Sequence, residues 1–119
     1  MLFSFGIPGI SVFETDQRRK TDDDFLMLDV REQDELAWAK IEDARVHWIP
    51  LSELSRRGTD ALHGQLMIKD REIIVFCHHG SRSRQVAAWL KQQGWKRVLN
   101  MEGGIDAYAA QVDPDIGRY

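Results

Sequence analysis

Cysteine is almost absent from this chain: Cys77 is the one thiol among 119 residues. A lone thiol forms no intramolecular disulfide, no Cys-x-x-Cys redox pair and no cysteine-rich zinc knuckle, so a secreted disulfide scaffold is excluded. Proline is nearly as scarce, with three residues, and no Pro/Gly/Ser-rich linker or internal repeat divides the sequence. An excess of one charge is lacking too: 16 Lys and Arg stand against 19 Asp and Glu, a net charge of −3. That balance gives no general field to draw a phosphate backbone. The basic run Arg18-Arg19-Lys20 is answered by Asp22-Asp23-Asp24, so no nucleic-acid partner is expected. Long apolar runs are also missing. The stretch from Met1 to Ile10 is broken by Gly6, Pro8 and Gly9, and no basic side chain precedes Arg18. It fits neither a secretory signal nor a membrane span, and a cytoplasmic location without membrane contact is the expectation.

What is present is enough for a core: 43% hydrophobic residues, with four Trp and five Phe, in a length that fits one domain over residues 1–119. Two runs read as fully buried strands, Phe25 to Val30 and Ile73 to Cys77, because they are short, continuous and apolar rather than alternating. Weaker strand candidates are Ile10 to Val12, Val46 to Ile49 and Arg97 to Asn100. Helical patterns lie between them, over Glu14 to Lys20, Gln33 to Lys40, one or two short pieces from Ser52 to Met67, Arg84 to Gln93, and Ile105 to Val112. The fourth is the clearest, with Val86, Ala87, Trp89 and Leu90 on one face, Ser83 as its cap and Gly94 as its stop. Strands alternating with helices predict an α/β fold: a mostly parallel central sheet of about five strands with helices on both faces. In such sheets function gathers at the carboxyl ends of strands, and Cys77 sits at one of them.

The loop Cys77-His78-His79-Gly80-Ser81-Arg82-Ser83 joins the most convincing strand to the most convincing helix. Backbone N–H groups at a helix start, backed by the positive end of the helix dipole, make a cradle for negative charge. The same field favours thiolate over thiol, whose unperturbed pKa is about 8.5. Gly80 permits a positive φ that brings amides close to the centre, Arg82 adds a fixed cation, and His78 and His79 add charge when protonated. The plainer alternative is a small buried residue that merely ends a strand, the commonest fate of a free cysteine. A simple strand-to-helix turn, however, has no need of two His, a Gly, a Ser and an Arg together.

Cysteine-dependent phosphatases and related arsenate reductases place five residues between nucleophile and arginine. Here Arg82 comes one position too early and residue 83 is Ser. The shorter ring suits a nucleophile that carries one extra atom. Cys-x-x-Gly-x-Arg-Ser after a buried strand resembles the active-site loop of rhodanese-like sulfurtransferase domains, in the small bacterial type that carries Cys-His-His-Gly. The resemblance runs along most of the chain: Leu28-Asp29-Val30-Arg31-Glu32, Ile49-Pro50-Leu51, Glu102-Gly103-Gly104-Ile105-Asp106-Ala107-Tyr108 and the ending Val112-Asp113-Pro114 through Arg118-Tyr119 match family motifs in the family's order. One segment departs. Ala39-Lys40-Ile41-Glu42-Asp43-Ala44 lacks the glycines and histidine of the family's Gly-His-Ile-x-Gly-Ala type segment.

The resemblance implies that Cys77 takes a sulfane sulfur from thiosulfate or a persulfide donor protein and holds it as a persulfide. An external thiol, cyanide or a protein acceptor then removes it, without metal or organic cofactor. It further implies that His78, His79, Gly80, Ser81, Arg82 and Ser83 bind the substrate and that Asp29 and Arg31 support the rim, although a plain salt bridge or a helix cap near Glu32 accounts for those two equally well. A non-catalytic sulfur carrier or binding module is compatible with the same residues, and a phosphatase or arsenate reductase is disfavoured by the Arg82 spacing. The four histidines, His47, His63, His78 and His79, raise a metal reading, but adjacent histidines do not converge on one centre and no second cysteine joins them. Trp38, Trp48, Trp89 and Trp95 are read as core or rim packing.

Overall fold

Apolar residues alternate faces along the central strands, and two hydrophobic clusters result. Leu26, Leu28, Ile73, Val75 and Val98 point to one side, and Phe25, Met27, Ile74, Phe76 and Met101 to the other. Both faces must then be covered, which is the condition for a parallel sheet. The computed structural model describes residues 6–21 and 23–119; Asp22 and the first five residues of the apolar amino-terminal stretch lie outside the described residues.

The elements in chain order are β1 (Gly9–Ile10), α1 (Val12–Lys20), β2 (Leu26–Asp29), β3 (Val46–Trp48), α2 (Leu51–Arg57), β4 (Glu72–Phe76), α3 (Ser81–Gln92), β5 (Arg97–Met101) and α4 (Gly104–Gln111). The five strands form one sheet in the order β1-β5-β4-β2-β3, with every pairing parallel. Leu54 of α2 and Val86, Ala87 and Leu90 of α3 fill one cluster; Val12 of α1 and Ile105 and Tyr108 of α4 fill the other. The expected α/β architecture is therefore what the chain builds, and its sheet is wholly parallel. Among the described residues no helix is long and apolar enough to cross a membrane.

Local differences have local causes. The strand expected over Ile10 to Val12 stops at Ile10, because Ser11 caps α1, its side chain accepting the Glu14 N–H at 3.0 Å. The run expected as a helix over Gln33 to Lys40 is a 3-10 helix over Gln33–Ala37 with no buried residue, and without an apolar face nothing stabilises a longer helix. Ser83 does not cap α3: the helix starts at Ser81, Gly80 takes the preceding position at φ +107°, and Ser83 is buried inside the first turn. At the other end Gly94, at φ +106°, does stop α3. Its N–H donates to the Lys91 carbonyl and that of Trp95 to the Leu90 carbonyl, which satisfies two terminal acceptors. Trp95 is core, Trp38 is 64% exposed and Trp48 is only partly covered.

Candidate active site

β4 is central in the sheet, and Cys77 follows its last residue directly. The side chain is 1% exposed and joins the cluster shared with α2 and α3. The chain then turns into α3 through Gly80, whose left-handed φ lets its own N–H fold back on the sulfur. Gly80 N–H donates to Cys77 Sγ at 3.1 Å and Ser83 N–H at 3.3 Å, and the Ser83 hydroxyl lies 3.3 Å away. Two amides at the start of a twelve-residue helix thus converge on one sulfur. Such a group of donors stabilises negative charge on the atom it surrounds.

The loop is held from behind by α4. Ile105 N–H donates to the Cys77 carbonyl at 2.9 Å and Asp106 N–H to the His78 carbonyl at 3.0 Å. This close approach needs Gly104: a Cβ there would lie 2.4 Å from His78 O and 2.6 Å from Cys77 O. From β5, the Asn100 side chain meets Ser83 Oγ at 2.5 Å through Oδ1 and the Gly80 carbonyl at 3.2 Å through Nδ2. Every buried side-chain nitrogen and oxygen among the described residues has a hydrogen-bond partner.

The charged residues expected at the site pair with carboxylates. The Arg82 guanidinium makes a two-pronged contact with Glu35, at 2.7 and 2.8 Å, from the 3-10 helix after β2. That contact pulls the Glu35 carboxyl down to about 2 from its ordinary 4.5 and raises the guanidinium further. Arg31 is fully buried and pairs with Asp29 at 2.8 Å. Its Nη1 also reaches the Glu35 carbonyl and the Tyr119 hydroxyl. Asp29 and Arg31 therefore form a buried ion pair behind the loop, in contact with the backbone that carries Glu35. Glu32 caps that 3-10 helix in a reciprocal box with Glu35 and also binds Ser52.

His78 faces the tail of the chain: its ring stacks on Tyr119 with centroids 3.7 Å apart, and its Nε2 lies 2.8 Å from the Tyr119 main-chain oxygen. Burial, reinforced by neighbouring His79, holds the His78 ring below its ordinary pKa of 6.5. His79 is 65% exposed and 3.9 Å from Asp106. His47 and His63 pair with each other elsewhere, and no cluster of three metal-ligating side chains exists among the described residues. The structure adds Glu35, Asn100, Gly104 and Tyr119 to the residues that shape the site. Gly104 and Tyr119 fall in segments that resemble family motifs, Asn100 shows only as a polar residue after the apolar Val98 and Leu99, and Glu35 carries no signal in the sequence.

Residues 14–111 match the model of the rhodanese-like domain. A sulfurtransferase of Allochromatium vinosum is 39% identical over 98 residues, covering 78% of this chain and 79% of that protein. A chloroplastic rhodanese-like/PpiC domain-containing protein of Arabidopsis thaliana is 37% identical over 97 residues; the match covers 82% of this chain but only 31% of the plant protein's length. Among solved structures, a rhodanese-related protein from Thermoplasma volcanium superposes with a TM-score of 0.70 at 30% identity, over 88% of this chain and 93% of the other.

Proposed function

Because the chain belongs to the rhodanese-like domain family, we propose that it is a sulfurtransferase in which Cys77 carries the sulfur. The observation that carries this reading is the convergence of the Gly80 and Ser83 amides on a lone, buried Sγ. In the first half-reaction the Cys77 thiolate attacks the outer sulfur of a sulfane donor. A new S–S bond forms to Cys77, the donor's own bond to that sulfur breaks, and the donor leaves with the electron pair, as sulfite from thiosulfate or as a thiolate from a persulfide. In the second half-reaction an external thiol, cyanide or a protein nucleophile takes the outer sulfur and restores the Cys77 thiolate. The two amides are fixed before reaction, so charge on the bound sulfur is stabilised without reorganisation. Cys77 is the one cysteine in the chain, so no internal thiol competes for the stored sulfur.

Arg82 favours this reading over phosphate-ester hydrolysis. It is one residue early for a loop that encircles a tetrahedral oxyanion, and its guanidinium is occupied by Glu35. A cytoplasmic setting, which keeps a single thiol reduced, belongs to the same proposal. Initial rates with donor and acceptor varied together test it. A covalent sulfur intermediate gives the parallel double-reciprocal lines of a ping-pong reaction, and Cys77→Ala gives no transfer. Converging lines, or transfer that survives Cys77→Ala, would overturn it.

A further inference from the structure

The charges around the loop cancel one another, and we infer that the donor is a low-molecular-weight hydropersulfide, R–S–S–H, rather than the thiosulfate dianion. This rests on the sulfurtransferase reading and narrows it. Among the described residues each arginine beside the loop faces a carboxylate: Arg82 faces Glu35 at 2.7 Å, Arg31 faces Asp29 at 2.8 Å, Arg84 faces Glu102 at 3.3 Å and Arg118 faces Asp106 at 3.1 Å. Glu32 adds a further negative charge, held by Ser52. His78 is tied to the Tyr119 main-chain oxygen, and His79 stands in solvent near Asp106. The sulfur itself is negative when reactive. Two amides suffice for that charge, but none of these four arginines, Arg31 buried behind the loop or the three others around it, is left unopposed for the two charges of thiosulfate.

A hydropersulfide has no such requirement. Cys77–S⁻ attacks the outer sulfur of R–S–S–H, the R–S to S bond breaks, R–S⁻ departs, and Cys77–S–S–H keeps the proton. Electrons and atoms balance with no oxidant or reductant. The 1% exposure of Cys77 favours a donor of small cross-section over a persulfide held on a folded protein.

Glu35 is the residue that decides this preference, since its two-pronged contact neutralises Arg82, the arginine that lies within the Cys77 loop itself. Glu35→Gln keeps the side-chain shape and leaves Arg82 unopposed. The test is single-turnover loading of Cys77, followed by intact mass, with thiosulfate, cysteine hydropersulfide and persulfidated serum albumin as donors over a range of ionic strength. For the native sequence, cysteine hydropersulfide loads faster than thiosulfate by about tenfold or more, the scale of an electrostatic effect on association. Persulfidated albumin loads more slowly than the small donor. Thiosulfate loading stays flat or rises with salt, because screening relieves repulsion. In Glu35→Gln the ratio of the hydropersulfide to the thiosulfate rate constant falls by about tenfold and thiosulfate loading now declines with salt. Thiosulfate loading that matches the hydropersulfide, or that already declines with salt in the native sequence, overturns the inference, as does an unchanged ratio in Glu35→Gln. Faster loading from albumin overturns the small-donor part. If no donor loads Cys77, the sulfurtransferase reading itself fails.

Discussion

The Ser83 hydroxyl has one hydrogen and three neighbours that can take it: Asn100 Oδ1 at 2.5 Å, the Gly80 carbonyl at 3.2 Å and Cys77 Sγ at 3.3 Å. With the thiol protonated, S–H donates to Ser83 Oγ and the hydroxyl donates to Asn100. When Cys77 ionises, the hydroxyl can turn its hydrogen to the sulfur. Ser83→Ala removes that response and leaves Asn100 Oδ1 buried without its partner. Loading of Cys77 is expected to slow by about tenfold, the loss of one charge-assisted hydrogen bond, and denaturant melts are expected to show a loss of about 1–3 kcal/mol. At this scale the loop is legible in the sequence because its residues are contiguous. Glu35 and Asn100 are not, since the partners that give them meaning, Arg82 and Ser83, lie 47 and 17 positions away.

Two helix amino termini meet at the loop, and they play different parts. α3 turns its first amides on the sulfur, while α4 turns its own on the loop carbonyls, so the second helix fixes the cradle that the first one forms. The Gly103-Gly104 pair that resembles a family motif acquires a physical reason here, because both residues have positive φ and Gly104 has no room for a side chain. Gly104→Ala is expected to push α4 off the loop and to destabilise the fold by more than about 3 kcal/mol, read from the urea midpoint. A Gly104→Ala protein with unchanged midpoint and unchanged Cys77 loading would show that this contact is not needed. Elements with an apolar face, such as α3, are readable from periodicity, and its stop at Gly94 is readable from residue type. The Gln33 run misleads because polar helix formers match the pattern of a surface helix, yet only packing decides whether the helix continues. Ser83 misleads for a related reason: a serine at a helix start usually caps, but here Gly80 supplies the turn and the serine faces the core.

Across the molecule, one polar network joins the end of β2, the 3-10 helix after it, the start of α3 and the tail of the chain. Asp29 binds Arg31, Arg31 and Glu35 bind the Tyr119 hydroxyl, and Glu35 binds Arg82. Its pH response follows from Glu35, whose carboxyl falls to about 2 in the fold from an ordinary 4.5. A depressed carboxylate contributes stability that is fully present above its unfolded value and is lost as pH falls through its folded one. Part of the stability is therefore expected to disappear between about pH 4.5 and 2, and Glu35→Gln should flatten that part of the curve. Chemical denaturation across this range checks it, and an unaltered slope in the variant would assign the loss to other carboxylates. The fold class is legible at this scale because buried strands alternating with helices leave few arrangements. The network is not, since it exists only once the chain has closed. The central claim, that Cys77 stores a transferable sulfur, is tested most directly by the intact mass of the protein after exposure to a sulfane donor. A gain of one sulfur atom on Cys77, removed again by an added thiol, is the expected result. No gain, or the same gain in Cys77→Ala, would contradict it.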